Sequence, residues 1–241
     1  MVKKLGIVVQ AHMGSTRLPN KMMLQLCDKT VLGHVICRLK KVKNADLLVV
    51  ATSTLPTDDA IVAECEKYGV LVYRGSDDDV LSRFYNAAVQ YELTDIARVC
   101  ADNTLVDWNI IEEEIVAYRT GAYPIVNPSK NVPLGLGCEL FSFAMLEEAY
   151  KNADKAYQHE HVIPYIYEHY ASVYRPPYAK DYSKYRFTLD TEADWQLIQR
   201  IYGKLYRERV GFTLDDVIQI MEENPEWFDL NKDVHQKAVG E

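Results

Sequence analysis

From residue 5 to about residue 127, short apolar runs alternate with amphipathic stretches of helical period. Leu5–Val9 is apolar and β-branched, as suits a buried strand. The span from Thr30 to Val42 places Leu32, Val35, Ile36 and Leu39 on one helical face, with Arg38, Lys40 and Lys41 elsewhere. Asp46–Ala51 reads as the next strand, and Thr57 is positioned to cap a helix through Tyr68 that Gly69 closes, with Asp58 and Asp59 in its first turn. Val70–Tyr73 reads as a strand. Ser76-Asp77-Asp78-Asp79 has the S-x-x-D form of a capping box, and adjacent aspartates on a helix do not converge on one metal ion. Asp95–Cys100 is a further strand, and Asp107 is placed to cap a helix over Trp108–Tyr118. Successive strand–helix–strand units predict a mostly parallel sheet with ligands outside the carboxyl ends of its strands.

Beyond residue 120 the alternation loosens around Pro124, Pro128 and Pro133. Arg186–Leu189 reads as a strand, Thr191 with Asp194 as a capping box before Trp195, Leu197 and Ile198, and Thr213–Glu223 as a helix. The 241 residues suit one large α/β domain that buries roughly 70–75% of its unfolded surface. A net charge of −8 argues against a general nucleic-acid binder, but a single nucleotide needs only a local cluster of cations. No apolar run reaches the roughly 20 residues of a membrane span, and Met1–Lys4 leads into the first strand without a leader pattern, so the expectation is cytoplasmic. Five cysteines, odd in number and widely spaced, point away from disulfides.

The chemistry starts in the loop after the first strand. Gly14 permits close approach of backbone N–H groups to an anion, Ser15 and Thr16 add hydroxyl donors, and Arg17 and Lys21 supply two cations four residues apart. These features predict a phosphate-binding loop. It is not a Walker A loop, because Pro19 stands where that pattern needs its second Gly and Met22 follows Lys21.

Asp102 follows a predicted strand end and Asp190 precedes a predicted helix; taken alone, each reads as a turn residue. Glu139 lies in a Gly-rich apolar stretch, where a buried carboxylate would need a cation or a hydroxyl as partner; a solvent-facing strand residue is the other reading. The triplet His159-Glu160-His161 lacks the four-residue histidine spacing of zinc helices. The Tyr-rich run from Tyr165 to Tyr185 carries side chains favoured in protein interfaces.

Taken together, four segments resemble the cytidylyltransferases related to CMP-Kdo synthetase, in particular the spore coat polysaccharide biosynthesis protein F group. They are the Gln10–Lys21 loop, Gly75–Tyr85, Ala101–Asp107 and Tyr185–Trp195. Asn131–Phe141, Tyr157–Tyr167 and the Asn224-Pro225-Glu226-Trp227 segment are similar as well, so the likeness spans nearly the whole chain. In the first loop two positions depart, with His12 where that family has Arg and Asn20 where it has Gly. A histidine is mostly neutral near pH 7, so the first of these removes charge from the phosphate loop.

The resemblance implies a single Rossmann-like nucleotide-diphospho-sugar transferase fold, α/β with a mixed, mostly parallel sheet, over 1–241, with 128–185 as an acceptor-pocket and dimerisation insertion. It implies Mg²⁺-dependent transfer of CMP from CTP to a sugar acid or related acceptor, in cell-surface or spore-coat polysaccharide synthesis, by a homodimer. Gln10, Ala11, His12, Gly14, Ser15, Arg17, Lys21, Ser76 and Arg83 would bind nucleotide, and Glu139, Glu160 and His161 would line the acceptor pocket. Arg17, Lys21, Asp102 and Asp190 would carry catalysis, the two aspartates sharing the metal. The rival readings are a catalytically weak nucleotide-binding protein of the same fold, which the loss of the loop Arg motivates, and a nucleotidyltransferase of another base specificity.

Overall fold

The computed structural model describes residues 3–207 and 211–236. Strand β1 (Leu5–Gln10) leads into the first loop, a short 3-10 turn (Lys21–Met23) and a small hairpin of β2 (Gln25–Leu26) and β3 (Lys29–Thr30). Then follow α1 (Val31–Leu39), β4 (Leu47–Ser53), α2 (Asp59–Lys67), β5 (Leu71–Gly75), α3 (Val80–Gln90), β6 (Asp95–Cys100) and α4 (Trp108–Arg119). The second half adds β7 (Ile125–Val126), β8 (Glu139–Ser142), α5 (Phe143–Asn152), α6 (Ala156–His161), α7 (Pro164–His169), β9 (Val173–Tyr174), α8 (Glu192–Leu205) and α9 (Leu214–Glu223).

Seven of these strands form one mixed sheet in the order β5-β4-β1-β6-β8-β7-β9. The four on the β5 side run parallel, β8 runs antiparallel to β6 and β7, and β9 is parallel to β7. The expected mixed, mostly parallel α/β architecture is therefore the observed one.

Strand alternation divides the core between the two faces of this sheet. Leu5, Ile7 and Val9 of β1 join Leu32, Val35, Ile36 and Leu39 of α1 and Ile111 and Ile115 of α4 on one face. Val8 points the other way, toward Leu81, Phe84 and Ala88 of α3 and Met145, Leu146 and Ala149 of α5. A third cluster packs α8 and α9 over the 185–189 segment, through Trp195, Leu197, Ile198, Ile201 and Tyr202.

Several local signals act as read. Thr30 caps α1 by accepting from Gly33 N–H at 2.9 Å, Asp107 caps α4 by accepting from Asn109 N–H at 2.8 Å, and Thr191 with Asp194 forms a reciprocal capping box. Three expectations need correction. Thr57 does not cap a helix: Pro56–Asp58 is a 3-10 turn and α2 starts at Asp59. Asp79, accepting from Ser82 N–H at 2.9 Å, is the N-cap of α3, while Ser76 accepts from Asp79 N–H outside the helix. Arg186–Leu189 is not a strand: it is extended chain with one bridge, Arg186 to Leu134, because its neighbours are loops. None of the helices among the described residues is long and apolar enough to cross a membrane.

Candidate functional site

The site lies beyond the carboxyl ends of β1 and β6, the central parallel pair. The first loop leaves β1 with Ala11 N–H donating to Ala51 of β4, and Ala101 N–H ties the loop after β6 to Gln10. Gly14 folds so close to its neighbour that a Cβ there would stand 3.1 Å from His12 Nδ1. Asn20 ends the loop in the left-handed region, at φ 57° and ψ 23°, a conformation open to glycine and, among side chains, to asparagine above most others.

Lys21 then turns inward. Its ammonium donates to Asp102 Oδ2 at 3.1 Å, to Asp190 Oδ1 at 3.0 Å and to the Leu189 carbonyl at 2.8 Å, and the residue is only 6% exposed. Burial works to lower the ammonium pKa, but the two carboxylates outweigh it and hold the pKa above its ordinary value. Asp190 shows the reverse balance. Burial works to raise its carboxyl pKa, and Lys21, Arg17 and Arg186 together bring it below the usual carboxylate value. Arg17 reaches Asp190 Oδ1 at 3.3 Å from a third-exposed position, and Arg186 donates to Asp190 Oδ2 at 2.6 Å.

Distant segments fix this geometry. Leu189 N–H donates to the Asp102 carbonyl at 2.9 Å and Phe187 N–H to the Leu134 carbonyl at 3.0 Å, which lays the Asp190 segment against the Asp102 loop. The approach at Gly135 is so close that a Cβ would meet Thr188 N at 2.9 Å, and its φ of 100° adds a second reason for glycine. From below, Arg38 donates to the carbonyls of Leu105 and Val106, and Tyr202 donates to that of Thr104. Arg186 also donates to Asp194 of the α8 capping box, so one helix start holds both the arginine and Asp190.

The remaining expected residues fall into two groups apart from Lys21. Gln10 and Glu139 meet at Arg98, whose guanidinium donates to Gln10 Oε1 at 3.1 Å and pairs with Glu139; the Tyr167 hydroxyl donates to Glu139 at 3.0 Å. Glu139 thus has both a cation and a hydroxyl partner within the chain. Ser76 and Arg83 lie at the start of α3. Arg83 is 1% exposed, and its Nε and Nη1 atoms are buried without a hydrogen-bond partner. Helix α6 packs on α3, where His159 Nδ1 stands 3.1 Å from Asp79 Oδ1; Glu160 on it is exposed and His161 half-buried.

Asp58, Arg98 and Arg186 also belong to this neighbourhood and carry no sequence signal of it. Asp58 reads as a first-turn carboxylate and Arg186 as a strand residue, because their partners lie in other segments.

Two carboxylates and an ammonium meet beside a cationic loop at the strand ends of this sheet, where open α/β folds bind ligands, and the chain is a nucleotidyltransferase by its family. The chain belongs to the cytidylyltransferase family, whose sequence profile matches residues 6–237. It is 38% identical over 244 residues to an uncharacterized protein of Methanocaldococcus jannaschii, a match covering 100% of this chain and 99% of that one. It is 32% identical over 232 residues to the spore coat polysaccharide biosynthesis protein SpsF of Bacillus subtilis, covering 91% of this chain and 94% of the relative. The solved structure of a cytidylyltransferase from Leptospira borgpetersenii superposes with a TM-score of 0.87 at 30% identity, covering 98% of this chain and 100% of the other.

Proposed function

We propose that this nucleotidyltransferase moves CMP from CTP to an oxygen of a sugar acid or related small acceptor and releases pyrophosphate, with Mg²⁺ held by Asp102 and Asp190. The observation that carries the reading is the convergence of Arg17, Lys21, Asp102 and Asp190 on one point. The donor set fits the metal. The point between the two carboxylates already takes a cation, and their hard oxygens suit Mg²⁺, which is commonly held by one or two carboxylates with substrate phosphates completing the shell. Among the described residues no group of three or more His, Cys, Asp or Glu side chains is placed to hold a metal ion.

Arg17 and Lys21 hold the β- and γ-phosphates, exchanging their Asp190 contact for phosphate oxygens, and stabilise the charge that develops on the leaving pyrophosphate. A metal held by Asp102 and Asp190 would polarise the α-phosphate and lower the pKa of the attacking oxygen. An acceptor oxygen forms the new bond to the α-phosphorus while the bond to pyrophosphate breaks. Gln10, Ala11, His12, Gly14 and Ser15 line the nucleotide path. Ser76 and Arg83, at the start of α3, are assigned to the base by the family resemblance, and Glu139, Glu160 and His161 to the acceptor side. The likeness to a spore coat polysaccharide biosynthesis protein supports a sugar-derived acceptor and a role in surface polysaccharide synthesis.

Thermal unfolding with CTP, UTP, GTP or ATP, each with Mg²⁺ or with a chelator, tests the donor before any acceptor is known. At about 100 times Kd a ligand adds roughly 2.7 kcal/mol, or about 5–10 °C for a chain of this size. CTP with Mg²⁺ is expected to give that shift, and pyrophosphate release over a panel of sugar acids then identifies the acceptor. No shift with any triphosphate would overturn the reading in favour of a non-catalytic protein, and a shift with another base would reassign the donor.

A further inference from the structure

Asp58 occupies the N-cap position of α2, yet its side chain makes no capping hydrogen bond to that helix. The carboxylate turns back into the protein and is 1% exposed. Oδ2 accepts from Ser53 N–H at 3.0 Å, the Ser53 hydroxyl at 2.6 Å and the Thr52 hydroxyl at 2.9 Å, all at the end of β4. Oδ1 accepts from Met13 N–H at 2.8 Å, in the middle of the first loop and 45 residues earlier in the chain.

A buried carboxylate satisfied by neutral donors is an expensive way to finish a strand, and a neutral side chain with one acceptor could face β4 or Met13 but not both. The backbone N–H groups of Ser53 and Met13 each need an acceptor, and only a side chain with two acceptor oxygens serves both. The Met13 bond fixes the peptide between His12 and Met13 next to Gly14, where a Cβ would stand 3.1 Å from the His12 ring, and so sets the direction in which Ser15, Thr16 and Arg17 depart. It also withdraws the Met13 N–H from any ligand. A negative charge so close to a triphosphate cradle is unfavourable for binding unless it shapes that cradle. Burial works to raise the Asp58 pKa, and the donors from Ser53, Met13 and Thr52 outweigh it, so the carboxylate stays ionised and the bond stays charge-assisted.

We infer that Asp58 is a positioning residue for the nucleotide: through Met13 it holds the first loop in the form that receives the triphosphate. The inference rests on the reading of that loop as the CTP phosphate site.

Two variants and one exchange measurement test it. In Asp58→Asn only one of the two terminal atoms still accepts, so either the Met13 bond or the β4 bonds are lost, while the shape is kept. Ser53→Ala removes one β4-side bond and leaves Met13 untouched. By titration calorimetry with CTP and Mg²⁺, Asp58→Asn is expected to weaken Kd about tenfold, as loss of one charge-assisted bond at the site would. Ser53→Ala is expected to lower the melting temperature and leave Kd unchanged, a split that a merely structural carboxylate would not give. In the wild type without nucleotide, the Met13 amide is expected to exchange hydrogen slowly. Fast exchange there would overturn the proposal even if Asp58→Asn failed to fold. Wild-type binding, with an unchanged Kd in a folded Asp58→Asn whose Met13 amide exchanges fast, would overturn the proposal alone. A wild type that binds no CTP would overturn the cytidylyltransferase reading and the proposal with it.

Discussion

Lys21 and Asp190, 169 positions apart, meet with the ammonium 3.0 Å from Oδ1, and Asp102 closes the other side of the same ammonium at 3.1 Å. With only about a tenth of either the Lys21 or the Asp190 side chain exposed, the pair is buried and unscreened. Removing the cation leaves carboxylates facing each other, the costly way to break a buried pair. Lys21→Met is expected to lose about 3 kcal/mol in urea unfolding at pH 7. Adding Asp190→Asn to it is expected to restore part of that loss.

In the proposed mechanism the same contact also sets the metal dependence. Because an ammonium already satisfies both carboxylates, Mg²⁺ without nucleotide is expected to leave the melting temperature unchanged. CTP with Mg²⁺ is expected to stabilise more than CTP with a chelator. If the proposed metal ligation holds, Asp190→Asn is expected to lower kcat by about 10²-fold or more while CTP affinity changes only a few-fold. Full kcat in that variant at saturating Mg²⁺ would remove Asp190 from the metal site.

Asn20 replaces a family glycine at a left-handed position, which glycine adopts freely and asparagine adopts better than most side chains. Asn20→Gly is expected to change stability by less than about 0.5 kcal/mol. Asn20→Val is expected to cost about 1–2 kcal/mol, measured by urea unfolding.

His12 lies in the loop that Asp58 anchors through Met13, at the place where the family carries a permanent charge. His12→Arg is expected to tighten CTP binding about three- to tenfold at low salt, with the gain shrinking as ionic strength rises. An unchanged Kd would mean that Arg17 and Lys21 suffice.

Glu114 of α4 is 1% exposed, and burial pushes its carboxyl pKa up to about 8, against the pull of the Cys138 N–H that donates to it at 2.8 Å. Between the unfolded value, near 4.5, and 8 the folded state binds the extra proton, so this contribution falls as pH rises through that window. At its steepest the slope is about 1.4 kcal/mol per pH unit. Urea unfolding from pH 6.5 to 8.5 is expected to show this decline in the wild type and a flatter profile in Glu114→Gln.

What the chain reveals when read linearly is what local physics fixes. The two periods of apolar residues determined the α/β order. The caps at Asp107 and Thr191 were legible because each bonds within three residues of itself. The glycine, hydroxyls and cations of the first loop stood out by composition alone. The resemblance to cytidylyltransferases paired Asp102 with Asp190, but not the ammonium between them. Tertiary structure decided the rest. Glu139 faces Arg98 because β8 runs antiparallel to β6 in that register. Arg186–Leu189 is not a strand because the partners of its backbone are loops, and Asp58 serves the first loop rather than its own helix. Each of these contacts joins residues whose separation along the chain has no bearing on their distance in space. Their meeting is set by which strand ends lie side by side in the sheet, a property no local pattern carries.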